Sequence, residues 1–245
     1  MTNQDETQKT LAAKSGGHQD TSSRNELRVC IFGDSICFGQ GVSVEQIWVA
    51  EMARGLQRQF PSRGLNFFNP SINGNTTRMA LERMPQDVQA HKPHLAVVQF
   101  GLNDANFWVS DQGHPRVSAL AYEANLREIV DRLRLAGAEK VILNTNHTTD
   151  AGGAPERKIS PLAPQTYRDH IVHYNDIVRR VAEAKRCPLI DIEHHWLRAT
   201  GPVGSAHQLL LEDGVHLSVS GHQLYTQVML PVMAKQIEML ISSSG

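Results

Sequence analysis

A chain of 245 residues with 40% hydrophobic content can bury one sizeable core, and α/β proteins of this length commonly form a single domain. Its 24 basic and 25 acidic side chains leave a formal charge of -1, so no basic excess exists to neutralise phosphates, and neither a nucleic acid nor an anionic membrane is an expected partner. No apolar run approaches the roughly 20 residues of a membrane helix, and the start lacks the apolar stretch of a secretory signal. Three cysteines, Cys30, Cys37 and Cys187, contain no CxxC pair and read as packing thiols; the expected location is the cytoplasm.

Residues 1–26 are polar and rich in Gln, Thr, Ser, Lys and Asp; they read as a disordered tail, which leaves 27–245 as the one folded domain. Leu27 to Phe32 form a continuous apolar run that stops at Gly33-Asp34-Ser35. Such a run suits a strand of a parallel sheet covered on both faces, with Ser35 just past its carboxyl end, where open α/β sheets bind ligands. By itself Asp34-Ser35 is equally a turn and a helix cap.

Residues 44–60 carry Ile47, Trp48, Met52, Leu56 and Phe60 at helical spacing, with Pro61 as a stop. A short strand at 65–69 leads into a loop holding Asn73-Gly74-Asn75. Helix is expected over 76–91, Pro85 beginning a second piece. The third strand, 94–100, ends at Gly101-Leu102-Asn103-Asp104. The loop 106–117 holds two adjacent aromatics, Phe107 and Trp108, and Ser118 caps a helix that ends near Gly137.

A fourth strand at 140–144 precedes the long polar segment 146–164, read as a flap over the catalytic edge. A helix at 165–185 and a fifth strand at 188–192 follow. The loop 200–212 delivers Asp213 and His216, and a helix over 218–241 closes the chain. In a turn, an acid and a histidine three residues apart project to one side, so the carboxylate can hold one ring nitrogen while the other faces outward. A serine needs such a base, since a hydroxyl at its free pKa is a weak nucleophile.

Other chemistries fit poorly. Gly39-Gln40-Gly41 begins a dinucleotide motif, but Val44 stands where its third glycine belongs, and no P-loop is present. The G-x-S-x-G elbow fails at Cys37. None of the twelve histidines combines with cysteines or carboxylates at zinc spacing, so neither metal nor cofactor is expected.

Four fragments together resemble the SGNH/GDSL hydrolase superfamily: GDS at Gly33 to Ser35, the loop glycine Gly74, GxND at Gly101 to Asp104, and DxxH at Asp213 to His216. The resemblance implies a three-layer α/β/α sandwich around a parallel, about five-stranded sheet of flavodoxin-like type. It also implies a serine esterase in which Ser35 is the nucleophile, His216 the base and Asp213 its orienting acid. The Ser35 and Gly74 N–H groups and the Asn103 amide would form the oxyanion hole, with Asp34 and Asp104 in support. A small, acetyl-type ester is the expected substrate; a sugar O-acetyl ester, a thioester, or a catalytically silent binding domain are the alternatives. Neither the acyl and alcohol specificity nor the oligomeric state is legible.

Overall fold

The structure is a computed structural model that describes residues 26–149, 167–201 and 208–243. Its first strand, β1 (Glu26–Gly33), is the apolar run, and Val29 to Phe32 are buried because a sheet covered on both faces offers no solvated side. It is joined by β2 (Gly64–Phe68), β3 (Leu95–Gln99), β4 (Lys140–Asn144) and β5 (Leu189–Ile190). All pair in parallel, in the order β2-β1-β3-β4-β5.

Helices fill the connections: α1 (Ser35–Phe38) and α2 (Trp48–Gln59) after β1, α3 (Thr77–Asp87) after β2, α4 (Leu102–Ala105) and α5 (Ala119–Leu135) after β3. Then come α6 (Tyr167–Ala184) after β4, and α7 (Ile192–Thr200) and α8 (Val219–Ser243) after β5. The chain steps outward from β1 to β2, then back across β1 to β3 and onward. Right-handed crossovers therefore send α2 to one face of the sheet and α3, α5 and α6 to the other. Accordingly α2 packs on α8, while α5 packs on α3 and α6, which gives the expected three layers.

Two local expectations are corrected. Pro85 does not begin a separate helical piece: α3 runs through it, and only a 3-10 turn at Gln89–His91 follows. Proline lacks the N–H that would bond the Leu81 carbonyl, and Arg132 Nη1, from α5, takes that oxygen at 3.3 Å. The fifth strand ends at Ile190 rather than 192. Asp191 caps α7 instead, its carboxylate accepting from the His194 N–H at 3.2 Å and from the Thr145 hydroxyl at 3.0 Å.

The expected tail lies outside the described residues except for Glu26, which already pairs with Gly64. Of the expected flap, only 146–149 fall within them, and these four are buried. All three cysteines are buried and unpaired. Among the described residues no helix is long and apolar enough to cross a membrane. In the sheet, Gly33 of β1 pairs with Gln99 of β3, so the segments leaving both strands start side by side where the strand order reverses. That crevice is where open α/β sheets take ligands.

Candidate active site

β1 ends on a glycine for a steric reason: a Cβ at position 33 would lie 2.5 Å from Cys37 Sγ and 2.8 Å from the Gln99 carbonyl. The chain then turns sharply, and Asp34 caps α1 by accepting from the Ile36 N–H at 3.0 Å. Ser35 stands at the first helical position, only 6% exposed.

The loop that faces it is a tight reversal. Leu210 bridges Leu217, the Leu211 N–H donates to the His216 carbonyl at 2.7 Å, and the Gly214 N–H donates to the Leu211 carbonyl at 2.9 Å. Inside this turn one Asp213 oxygen accepts from the N–H groups of Val215 and His216, at 2.8 and 2.9 Å. Its other oxygen meets His216 Nδ1 at 2.6 Å, and His216 Nε2 lies 2.9 Å from Ser35 Oγ. Burial alone would raise the Asp213 pKa, but the hydrogen bonds from the His216 ring and from the two N–H groups hold it below the usual carboxylate range. An ionised carboxylate only accepts, so the ring proton belongs on Nδ1, and Nε2 is left to accept from the serine hydroxyl.

A buried polar chain holds this loop from beneath. His147 Nε2 donates to the Val215 carbonyl at 2.8 Å, and its Nδ1 accepts from the Tyr225 hydroxyl at 2.7 Å. The Tyr225 oxygen accepts from Gln99 Nε2 at 3.2 Å, and Gln99 Oε1 from Asn144 Nδ2 at 3.3 Å. The His147 ring also stacks on Trp196 of α7, with centroids 4.7 Å apart. Burial lowers the His147 pKa to about 4, so the ring is neutral and keeps one donor and one acceptor for these bonds. Sequence reading passed over His147 among twelve histidines; the available signal was the polar run Asn144-Thr145-Asn146-His147 at the carboxyl end of a strand.

Gly74 and Asn103 form a second group, linked to the serine through its neighbour Asp34. Gly74 has φ +74°, a conformation that favours glycine, and a Cβ there would meet open space. Among the described residues neither the Ser35 nor the Gly74 N–H donates to a protein acceptor. Asn103 Nδ2 donates to Asp34 Oδ2 at 3.4 Å, which leaves its second N–H uncommitted. Arg116 braces both residues, Nη1 donating to Asn103 Oδ1 at 3.3 Å and Nη2 to the Gly74 carbonyl at 3.2 Å. No motif marks Arg116 in the sequence.

Asp34 and Asp104 adjoin this group, fully buried. Burial raises the Asp34 pKa to about 7, the Asp104 charge adding to the rise and the Ile36 N–H opposing it. Burial likewise raises Asp104 to about 6, against the two hydrogen bonds from Thr77. Those bonds, from the Thr77 N–H at 2.9 Å and from its hydroxyl, tie α4 to the start of α3. The sequence-derived residues thus fall into two groups: Ser35, His216 and Asp213 in direct contact, and Gly74 and Asn103 joined through Arg116.

Beyond Arg116 opens a cleft of about 520 Å³ between the starts of α3 and α5, walled by the loop 106–117. The adjacent aromatics divide there: Phe107 is buried, while Trp108 is 60% exposed with the Arg116 guanidinium 5.1 Å from its ring centre. Among the described residues no cluster of His, Cys, Asp or Glu could hold a metal ion.

Known proteins resemble this chain in sequence and in fold. Residues 31–224 match the GDSL-like lipase/acylhydrolase family. An uncharacterized lipoprotein of Bacillus subtilis, YqeF, is 26% identical over 203 residues, 80% of this chain and 82% of the relative. An acetylxylan esterase of Geobacillus stearothermophilus is 24% identical over 188 residues, 75% of this chain and 78% of the relative. Among solved structures, an enzyme termed LAE5, from the metagenome of Lake Arreo, superposes with a TM-score of 0.68 at 27% identity, covering 84% of this chain and 94% of that one. The chain therefore belongs to the GDSL-like lipase/acylhydrolase family, with the SGNH hydrolase fold, and is a carboxylic ester hydrolase.

Proposed function

We propose that this hydrolase cleaves esters of short, acetyl-type acids through a covalent acyl-serine. Ser35 Oγ attacks the ester carbonyl while His216 Nε2 takes the hydroxyl proton; Asp213 holds the ring and stabilises the imidazolium. Collapse of the tetrahedral intermediate breaks the bond to the alcohol, which leaves with the proton from His216. Water, activated by the same imidazole, then hydrolyses the acyl-serine. The N–H groups of Ser35 and Gly74 and the Asn103 amide bind the oxyanion, where loss of one donor costs about 10²–10³ in kcat. Asp34 and Asp104 support those donors.

One observation carries this reading: the unbroken hydrogen-bonded line from Ser35 Oγ through the His216 ring to Asp213, at 2.9 and 2.6 Å. The test is Ser35→Ala, which should abolish release of 4-nitrophenol from its acetate ester with the circular dichroism unchanged. Wild type should also be labelled by a fluorophosphonate that leaves the variant untouched. Turnover retained by Ser35→Ala removes Ser35 as nucleophile, and an unlabelled, inactive wild type returns the domain to a binding role.

The acetyl preference draws support from the acetylxylan esterase relative. A series of 4-nitrophenyl esters should show kcat/KM falling as the acyl chain lengthens; a maximum at long chains reverses the reading. We also read the chain as cytoplasmic, because its three thiols are buried and unpaired. The lipoprotein relative speaks against this, and fractionation of cells making the full chain decides between them.

A further inference from the structure

The cleft beside Arg116 is far larger than an acetyl group requires, so on the reading above it serves the other half of the ester. We propose that it receives an alcohol bearing an anionic group, a carboxylate or a phosphate, next to an apolar or ring portion. The inference rests on the short-acyl esterase reading and names the substrate class of that same site.

Charge supports it. Arg78 and Arg116 line the cleft, with His114 beside them and Asp111 as the single carboxylate among the lining residues. Among the described residues no carboxylate lies within ion-pair distance of either arginine. The Arg116 guanidinium is spent on neutral partners, the Asn103 and Gly74 oxygens and the Trp108 ring, and Asp104, an acid whose charge it favours, is fully buried. Two positive charges against one exposed acid leave a net positive cleft.

Shape supports it as well. Trp108 is an exposed aromatic face on this wall, and Met79 adds a soft apolar surface beside the charge, its Sδ 4.0 Å from Arg116 Nη2. A flat or ringed alcohol stacked on Trp108 puts an anionic substituent near the two guanidiniums. Because Arg116 touches both Asn103 and Gly74, a ligand in the cleft lies one side chain away from the oxyanion donors.

The test compares two acetyl esters whose chief difference is one negative charge, 4-acetoxybenzoate and its methyl ester. Each yields acetate and a phenol with water as co-reactant, the phenol leaving with the proton from His216. The readout is the ratio of their kcat/KM values, from which intrinsic reactivity cancels when variants are compared. Arg78→Gln, which removes an exposed charge, should lower the ratio by about threefold to fivefold, and Arg78→Lys should recover part of it. Raising the salt concentration should lower the wild-type ratio in the same direction.

An Arg78→Gln ratio equal to that of wild type overturns the proposal. A second pair, mono(4-nitrophenyl) succinate and 4-nitrophenyl butyrate, carries the charge on the acyl side. If Arg78→Gln changes that ratio and not the first, assignment to the alcohol half is wrong. Ser35→Ala keeps the two readings apart: turnover of both benzoate esters by that variant sinks the acyl-serine mechanism, while the Arg78 ratios still report on the cleft.

Discussion

The two flanks of the serine are built from opposite materials. The base flank, with Asp213 and His216, rests on a neutral and wholly buried chain, His147, Tyr225, Gln99 and Asn144, each hydrogen-bonded to the next. The donor flank, with Gly74 and Asn103, is held by one half-buried arginine above two buried carboxyls. A buried network fixes geometry strictly, because any broken bond leaves an unsatisfied group in a low dielectric. An arginine at a cleft wall is wetter and can be displaced or recruited by ligand. On the mechanism proposed above, proton transfer sits on the rigid flank, and on the proposed use of the cleft, substrate recognition falls to the adjustable one.

Replacing His147 tests this contrast most severely. His147→Phe keeps the stack on Trp196 but strands the Val215 carbonyl and the Tyr225 hydroxyl, and the turn carrying His216 loses its tether. Each orphaned group should cost about 1–3 kcal/mol of stability, read by urea unfolding. The kcat should fall by about 10–100-fold, since small misplacements of a reacting group are that costly, with KM changing far less. A variant that is destabilised but fully active would show that the loop keeps His216 in place by its own turn bonds alone.

That contrast also explains what was legible beforehand. Ser35 stands out because a continuous apolar run ends abruptly at Gly33, and the Asp213–His216 pair because both residues share one turn. These are local signals, and the family resemblance assembled them in order. The support is not local: His147 reaches partners 68 and 78 residues away, and Arg116 reaches Gly74 across 42. No window along the chain carries such pairings. The start of α7 was obscured for another reason. Leu189, Ile190 and Ile192 look like one strand, and the Thr145 hydroxyl and the Arg179 guanidinium, brought in by folding, hold the Asp191 carboxylate where it caps the His194 N–H.

On the donor flank Arg116→Met removes the fork that holds the Asn103 and Gly74 oxygens while keeping most of the stem. Both donors survive but lose alignment, so kcat on 4-nitrophenyl acetate should fall by only about threefold, well short of the loss of a donor outright. Arg116→Lys should recover little, because a single ammonium cannot reproduce a planar fork to two oxygens. A loss matching that of His147→Phe would erase the distinction between the flanks.

The smallest effect is one of sign, and acid reads it out. Asp34 has its folded pKa raised to about 7 from 3.8, so its contribution to stability is present at low pH and is lost as pH rises towards 7. His147 has its folded pKa lowered to about 4 from 6.5, so its contribution is present above 6.5 and is lost as pH falls towards 4. Between pH 7 and 5 the flanks therefore pull in opposite directions, each by up to about 1.4 kcal/mol per pH unit. Asp34→Asn should make unfolding free energy drop more steeply on acidification than in wild type, whatever its absolute stability. His147→Phe should make the same profile flatter or reverse it. Denaturant midpoints at pH 5, 6 and 7 for the three proteins suffice, and parallel profiles would mean that neither buried group titrates as its surroundings dictate.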